Sequence, residues 1–156
     1  FGVMFFPDRI AGYREARRVL KPGGRFLFNV WDRIEENGFA RVVTDRKALL
    51  YPDDPPLFLA RTPHGYHDVT GIRTDLHSAG FSKVETSTVA HSSAAASPRD
   101  PAIAYCQGTP LRNEIEARPL WSLESATALA SEALREVYGD GPVSAKIQAH
   151  LVVARG

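Results

Sequence analysis

Sulfur is nearly missing from this chain of 156 residues, which holds one cysteine, Cys106, and one methionine, Met4. A single cysteine excludes an internal disulfide and agrees with a reducing compartment, so a cytoplasmic location is the expectation. Cys106 itself is read as a small buried hydrophobe. An excess of one charge is also lacking: 19 Lys and Arg against 18 Asp and Glu leave a net charge of +1. That is far from the concentrated positive field of a nucleic-acid binder, so no nucleic-acid partner is expected and small or neutral partners fit better. No apolar run reaches the roughly 18 residues needed to span a membrane, nor does a basic, signal-like leader open the chain, so no membrane partner is expected. Phe1-Gly2-Val3-Met4-Phe5-Phe6 starts without an initiator methionine and in mid-pattern, like a strand cut through, which reads as truncation.

What is present suffices for one modest core, with 44% hydrophobic and 24% charged residues. Ile10, Tyr13, Ala16, Val19 and Leu20 recur at helical spacing after Pro7-Asp8, and Lys21-Pro22-Gly23-Gly24 stops that helix. Arg25 to Trp31 is almost continuously apolar, the pattern of a strand covered on both faces. A second helix is predicted over Phe39 to Leu50, with Phe39, Val42, Val43, Leu49 and Leu50 on one side, followed by a proline-rich connection from Tyr51 to Pro56. Asp68 caps a short helix carrying Ile72, Leu76 and Ala79, Gly80 ends it, and Ser82 to Val89 reads as a strand. Ala90 to Ser97 reads as a small-residue linker. Helical entrances at Ser97-Pro98, Thr109-Pro110 and Ser122 then open a helical stretch over about 97–139, closed by Gly139. Alternation from Ala145 to Val153 makes the last strand. No internal repeat and no boundary for a second domain stand out.

Phe1 to Asp8 followed by Glu15-Ala16-Arg17-Arg18-Val19-Leu20-Lys21-Pro22-Gly23-Gly24-Arg25-Phe26 resembles the middle of class I S-adenosylmethionine-dependent methyltransferases related to the ubiquinone/menaquinone-biosynthesis enzymes. Ala79-Gly80-Phe81 is similar to the family's helix-to-strand junction before its sixth strand, and the last strand to its antiparallel seventh. The resemblance implies an α/β fold: the C-terminal portion of a doubly wound, Rossmann-like sheet over residues 1–156, its last strand antiparallel and preceded by a helical insertion at about 97–139. It also implies S-adenosylmethionine as cofactor, although the glycine-rich loop after the first strand and the acidic residue after the second have no counterpart in this chain. Phe1, Gly2 and Met4, matching the end of the family's fourth strand, are the implied cofactor neighbours. Each could equally be a strand end packed in the core.

Methyl transfer is a displacement, so the protein chiefly aligns the acceptor and excludes water, and a base helps only where the acceptor must lose a proton. His64, Tyr66, His67 and Asp68 form the densest polar and aromatic cluster, in a loop that the resemblance places over the acceptor pocket. His67 is the candidate base, against the alternative of a loop histidine beside the cap Asp68. His64 and Tyr66, with Asn29 and Trp31 at the end of the buried strand, are the candidate pocket residues; packing is an equal reading for Trp31. His64 and His67 lack further ligands near them, with Cys106 and His150 isolated in sequence, so no metal is expected. Arg14, Arg17, Arg18 and Lys21 read as a solvated helix face. The insertion could form a lid over a small-molecule acceptor or a surface for a homo-oligomer. A methyltransferase in its full-length form, inactive as the isolated chain, is therefore the leading expectation, and a non-catalytic remnant acting as an interaction module is the alternative.

Overall fold

The computed structural model describes residues 1–118 and 120–156. Helix α1 (Arg9–Val19) begins where Asp8 accepts a hydrogen bond from the Ala11 N–H at 2.9 Å. It ends at a turn in which Gly23, at φ 75°, takes a left-handed conformation that a side chain disfavours. Strand β1 (Arg25–Trp31) follows, then α2 (Gly38–Leu50), a one-turn helix α3 (Phe58–Arg61) that the sequence pattern did not announce, and α4 (Val69–Ser78). Asp68 caps α4 through both carboxylate oxygens, which accept the N–H groups of Thr70 and Gly71 at 3.0 Å, and Gly80 stops it at φ 97°. Strand β2 (Lys83–Ala95), α5 (Arg99–Gln107), α6 (Leu111–Glu116), α7 (Leu123–Tyr138) and β3 (Val143–Arg155) complete the order. No helix among the described residues is long and apolar enough to cross a membrane.

The three strands form one sheet in the order β1-β3-β2. β3 runs antiparallel to β1, from Arg25 opposite Arg155 to Trp31 opposite Ala149. Along β2, Ser82, Thr88 and Ser92 bond to Arg155, His150 and Ser144, falling numbers against rising ones. β2 is therefore also antiparallel to β3, and β1 and β2 run parallel. The last strand thus takes the antiparallel place expected of it.

Three local expectations differ. Val3–Phe5 is a 3₁₀ turn and no strand: the N–H groups of Phe5 and Phe6 donate to the carbonyls of Gly2 and Val3 at 3.0 and 3.1 Å. The backbone thus satisfies its own donors locally, without joining the sheet. The small-residue stretch Ala90–Ala95 is not a linker but the continuation of β2, since β3 extends back to Val143 to meet it and the hydroxyls of Ser92 and Ser144 pair at 2.5 Å. At the start of α5 it is the Asp100 carboxylate that accepts the Ser97 N–H at 2.9 Å, the reverse half of the capping box, while no hydroxyl cap forms.

Two compact units make up the chain. The first comprises 1–33, 62–90 and 148–156. Its core gathers Tyr13, Val30, Ile72, Leu76, Phe81 and Val152, with Phe26 stacked at 6.0 Å from Phe81 and Phe28 at 5.5 Å from Tyr13. These rings lie on one face of β1. On the other face Leu27 is 59% exposed, so β1, read as covered on both faces, is covered on one.

The second unit, 34–61 and 91–147, contains the helices expected over about 97–139. α2, α5 and α7 pack around Phe39, Val43, Ala102, Leu111, Ala126, Ala130 and Leu134. Cys106 is buried here as a free thiol. The buried stripe of α2 runs through Phe39, Ala40, Val43, Thr44 and Lys47, while Leu49 is 76% exposed. A lysine was therefore preferred to a leucine in this core. Lys47 is 0% exposed, and its ammonium donates to the Ala126 carbonyl.

Burial pushes the Lys47 pKa down from its ordinary 10.5, with Cys106 partly opposing the shift. The unfolded chain therefore binds the Lys47 proton more tightly than the folded one, and the resulting destabilisation fades as pH rises from the folded value toward 10.5. Lys47→Met is expected to stabilise the chain by about 1 kcal/mol, raising the unfolding midpoint by roughly 2–4 °C at neutral pH. The gain should shrink at alkaline pH. Thermal melts of both proteins across that range check this; a lower midpoint for the variant would show that the bond to Ala126 outweighs the burial of charge.

Candidate functional site

Within the first unit, polar and aromatic side chains collect where β1 ends. β1 delivers Trp31 and then Asp32, the segment after α3 delivers His64 and His67, β3 contributes Gln148 and His150, and β2 contributes Thr88. The Trp31 indole stacks on the Phe1 ring at 4.2 Å between centroids and meets the His64 ring at 6.1 Å. His64, 6% exposed, has Nδ1 at 2.8 Å from the Asp32 carbonyl oxygen. A carbonyl only accepts, so that nitrogen carries the proton. By the same reasoning His67 Nδ1, 2.9 Å from the His64 carbonyl, donates to it, which leaves His67 Nε2 as the nitrogen able to take a proton.

Phe1, Trp31, His64 and His67 therefore form one chain of contacts. Gly2 serves the 3₁₀ turn through its carbonyl, and Met4, 5% exposed, belongs to the core. Asn29 is half-buried opposite Leu151 and shares the less covered face of β1 with Leu27. Tyr66 is tied into the helices: its hydroxyl donates to Asp75 at 2.7 Å, receives a bond from the Tyr13 hydroxyl at 3.3 Å, and Arg9 sits 4.2 Å above its ring. Burial, reinforced by these bonds, holds the Tyr66 phenol above the ordinary tyrosine range, and burial pushes Tyr13 up to about 12. At neutral pH both are hydrogen-bond donors.

Sequence reasoning passed over Asp32, Thr88 and Gln148, and set His150 aside. Asp32 accepts from Gln148 Nε2 at 2.5 Å and from the Arg33 N–H at 2.7 Å, and lies 3.1 Å from His150 Nε2. His150 Nδ1 is 2.9 Å from the Thr88 hydroxyl. His150 is isolated in sequence, and only the strand register sets it opposite Val30. The one signal available was an acid directly after an apolar strand. No three His, Cys, Asp or Glu side chains among the described residues are placed to hold a metal ion.

Burial acts to raise the Asp32 pKa, but Gln148, the Arg33 N–H and His150 together hold it below its ordinary 3.8. The stability that follows is complete above that ordinary value and is lost as pH falls through the lowered folded value. Asp32→Asn is expected to cost about 2 kcal/mol at neutral pH. The cost should diminish in acid, where the parent protein loses the same interaction. Denaturant titrations at pH 7 and pH 3 measure both effects; an equal cost at the two values would mean that the carboxylate charge is not what matters.

No protein-family model matches the sequence. Among solved structures, the chain is similar to a protein of Bacillus halodurans C-125 described as a methyltransferase, with 17% identity and a TM-score of 0.48 over 99% of this chain and 66% of that one. It is also similar to a phosphoethanolamine N-methyltransferase 2 of Haemonchus contortus, whose structure contains phosphomonomethylethanolamine and S-adenosylhomocysteine, with 12% identity and a TM-score of 0.42 over 99% of this chain and 31% of that one. The chain thus spans less than two thirds of either protein.

Proposed function

We propose that this chain is the later part of an S-adenosylmethionine-dependent methyltransferase domain of the ubiquinone/menaquinone-biosynthesis type, acting on a small-molecule acceptor, and that it supplies the acceptor side of the site. The reading rests on the residues from Phe1 to Phe26 and on Ala79-Gly80-Phe81. The observation that carries it furthest is a mismatch in β1. The face of β1 turned away from the core carries Leu27 and Trp31 beside Arg25 and Asn29, yet Leu27 is left exposed and β1 lies at the sheet edge among the described residues. Such a strand suits a larger sheet, with further strands beside it and a second layer over its open face.

The residues present do not make a complete cofactor site. Met4 is packed in the core, and Gly2 is engaged in the 3₁₀ turn. The Gly139-Asp140-Gly141 pair of glycines lies between α7 and β3, after a helix rather than after a strand, so it is no dinucleotide-type loop. No step is therefore derived on the cofactor itself. On the acceptor side, Trp31, stacked on Phe1, and the neighbouring His64 are the residues this reading assigns to packing against a flat or apolar acceptor. His67, its Nδ1 fixed by the His64 carbonyl, presents Nε2 as the base for an acceptor that must lose a proton.

Calorimetric titration of the 156-residue chain with S-adenosylmethionine should show no saturable binding up to roughly millimolar concentration. A longer product of the same gene, carrying the preceding strands, should bind at micromolar concentration and transfer radiolabelled methyl groups. Micromolar binding by the chain alone would contradict the incomplete site, and a longer product that neither binds nor transfers would contradict the methyltransferase reading. In the active protein, His67→Ala should lower kcat about 10²-fold, the loss expected of a general base. An unchanged kcat would remove His67 from that role.

A further inference from the structure

We infer that Thr88, His150 and Asp32 form a proton relay that makes the Thr88 hydroxyl a nucleophile toward small activated esters, a reactivity independent of methyl transfer. Its three members come from consecutive positions across the sheet: Asp32 just after β1, His150 on the central strand β3 and Thr88 on β2. The distances are 3.1 Å from the Asp32 carboxylate to His150 Nε2 and 2.9 Å from His150 Nδ1 to the Thr88 hydroxyl oxygen. A hydroxyl within hydrogen-bond reach of a base that a third group orients is the arrangement that activates such nucleophiles.

The direction of the relay follows from the chemistry of its ends. A carboxylate can only accept, so the His150 proton sits on Nε2, facing Asp32. The neutral ring then has its lone pair on Nδ1, facing the Thr88 O–H, which is the tautomer a general base requires. Asp32 is fixed in place by Gln148 and the Arg33 N–H, and those bonds keep it ionised at neutral pH. Asp32 and His150 are 8% and 6% exposed, whereas Thr88 faces solvent. The charged pair is shielded, and the residue that carries the hydroxyl is exposed. Two bridged strands would need only a pair of side chains; a buried acid, a buried imidazole and an exposed hydroxyl in series do more than hold the sheet.

In the reaction the Thr88 oxygen bonds to the acyl carbon as its proton passes to His150 Nδ1. The imidazolium, balanced by Asp32, then returns the proton to the departing alkoxide as the carbon–oxygen bond of the ester breaks. Water hydrolyses the threonyl ester by the same route, so the net change is ester and water to acid and alcohol.

The probe is p-nitrophenyl acetate, used on the 156-residue chain and followed by nitrophenolate release and by peptide mapping of the acetylated protein. Acetyl is expected on Thr88, with a release rate that rises with pH along one deprotonation. Thr88→Val should lower the rate about 10²-fold, Thr88→Ser should restore it, and His150→Gln should flatten the pH profile. Acetyl found only on lysines or the terminal amine, or a rate unchanged by Thr88→Val, would overturn the inference. Mapping the unsubstituted protein decides the point even where a variant fails to fold.

Discussion

The pairing of β1 with β3 sets the geometry on which everything at the site depends. Because side chains alternate across a strand, a slip of one residue would turn His150 to the opposite face and place a neighbour against Asp32. The register that puts Val30 opposite His150 is the same one that sends Phe26, Phe28 and Val30 into the core with Val152 and Ala154. Core packing therefore fixes the polar cluster: the burial of five apolar side chains resists any shift that would separate Asp32 from its partners.

Much of the fold was legible because its signals are local. Asp8, Asp68 and Ser122 cap helices by bonds within three residues, and Gly80 and Gly139 stop them with positive φ angles of 97° and 86°. What was missed depends on partners distant in sequence. Ala90 to Ala95 has no strong preference of its own, and becomes strand because β3 passes beside it. Leu49 and Lys47 are two residues apart on α2, and the side that is buried is decided by where α5 and α7 lie, not by hydrophobicity. His150 looked isolated for the same reason, since its neighbours Asp32 and Thr88 are far away along the chain.

The candidate site was read only in part. Trp31, His64 and His67 do come together, and Phe1 joins them through its ring. Tyr66 stands next to His67 in sequence but is drawn away into a network with Tyr13, Asp75 and Arg9, since a partly buried phenol must find a partner for its O–H. A loop cluster that looks uniform in sequence is thus divided between framework and site by the hydrogen-bonding needs of each side chain.

The single covered face of β1 has a consequence for handling the molecule. A strand at the sheet edge among the described residues, with Leu27 turned to water, is a template on which another extended chain can lay itself, and Arg25 near one end is a weak guard against that. Concentrated solutions of this chain would then lose material by sheet extension from β1, sooner at high salt, where the repulsion of that arginine is screened.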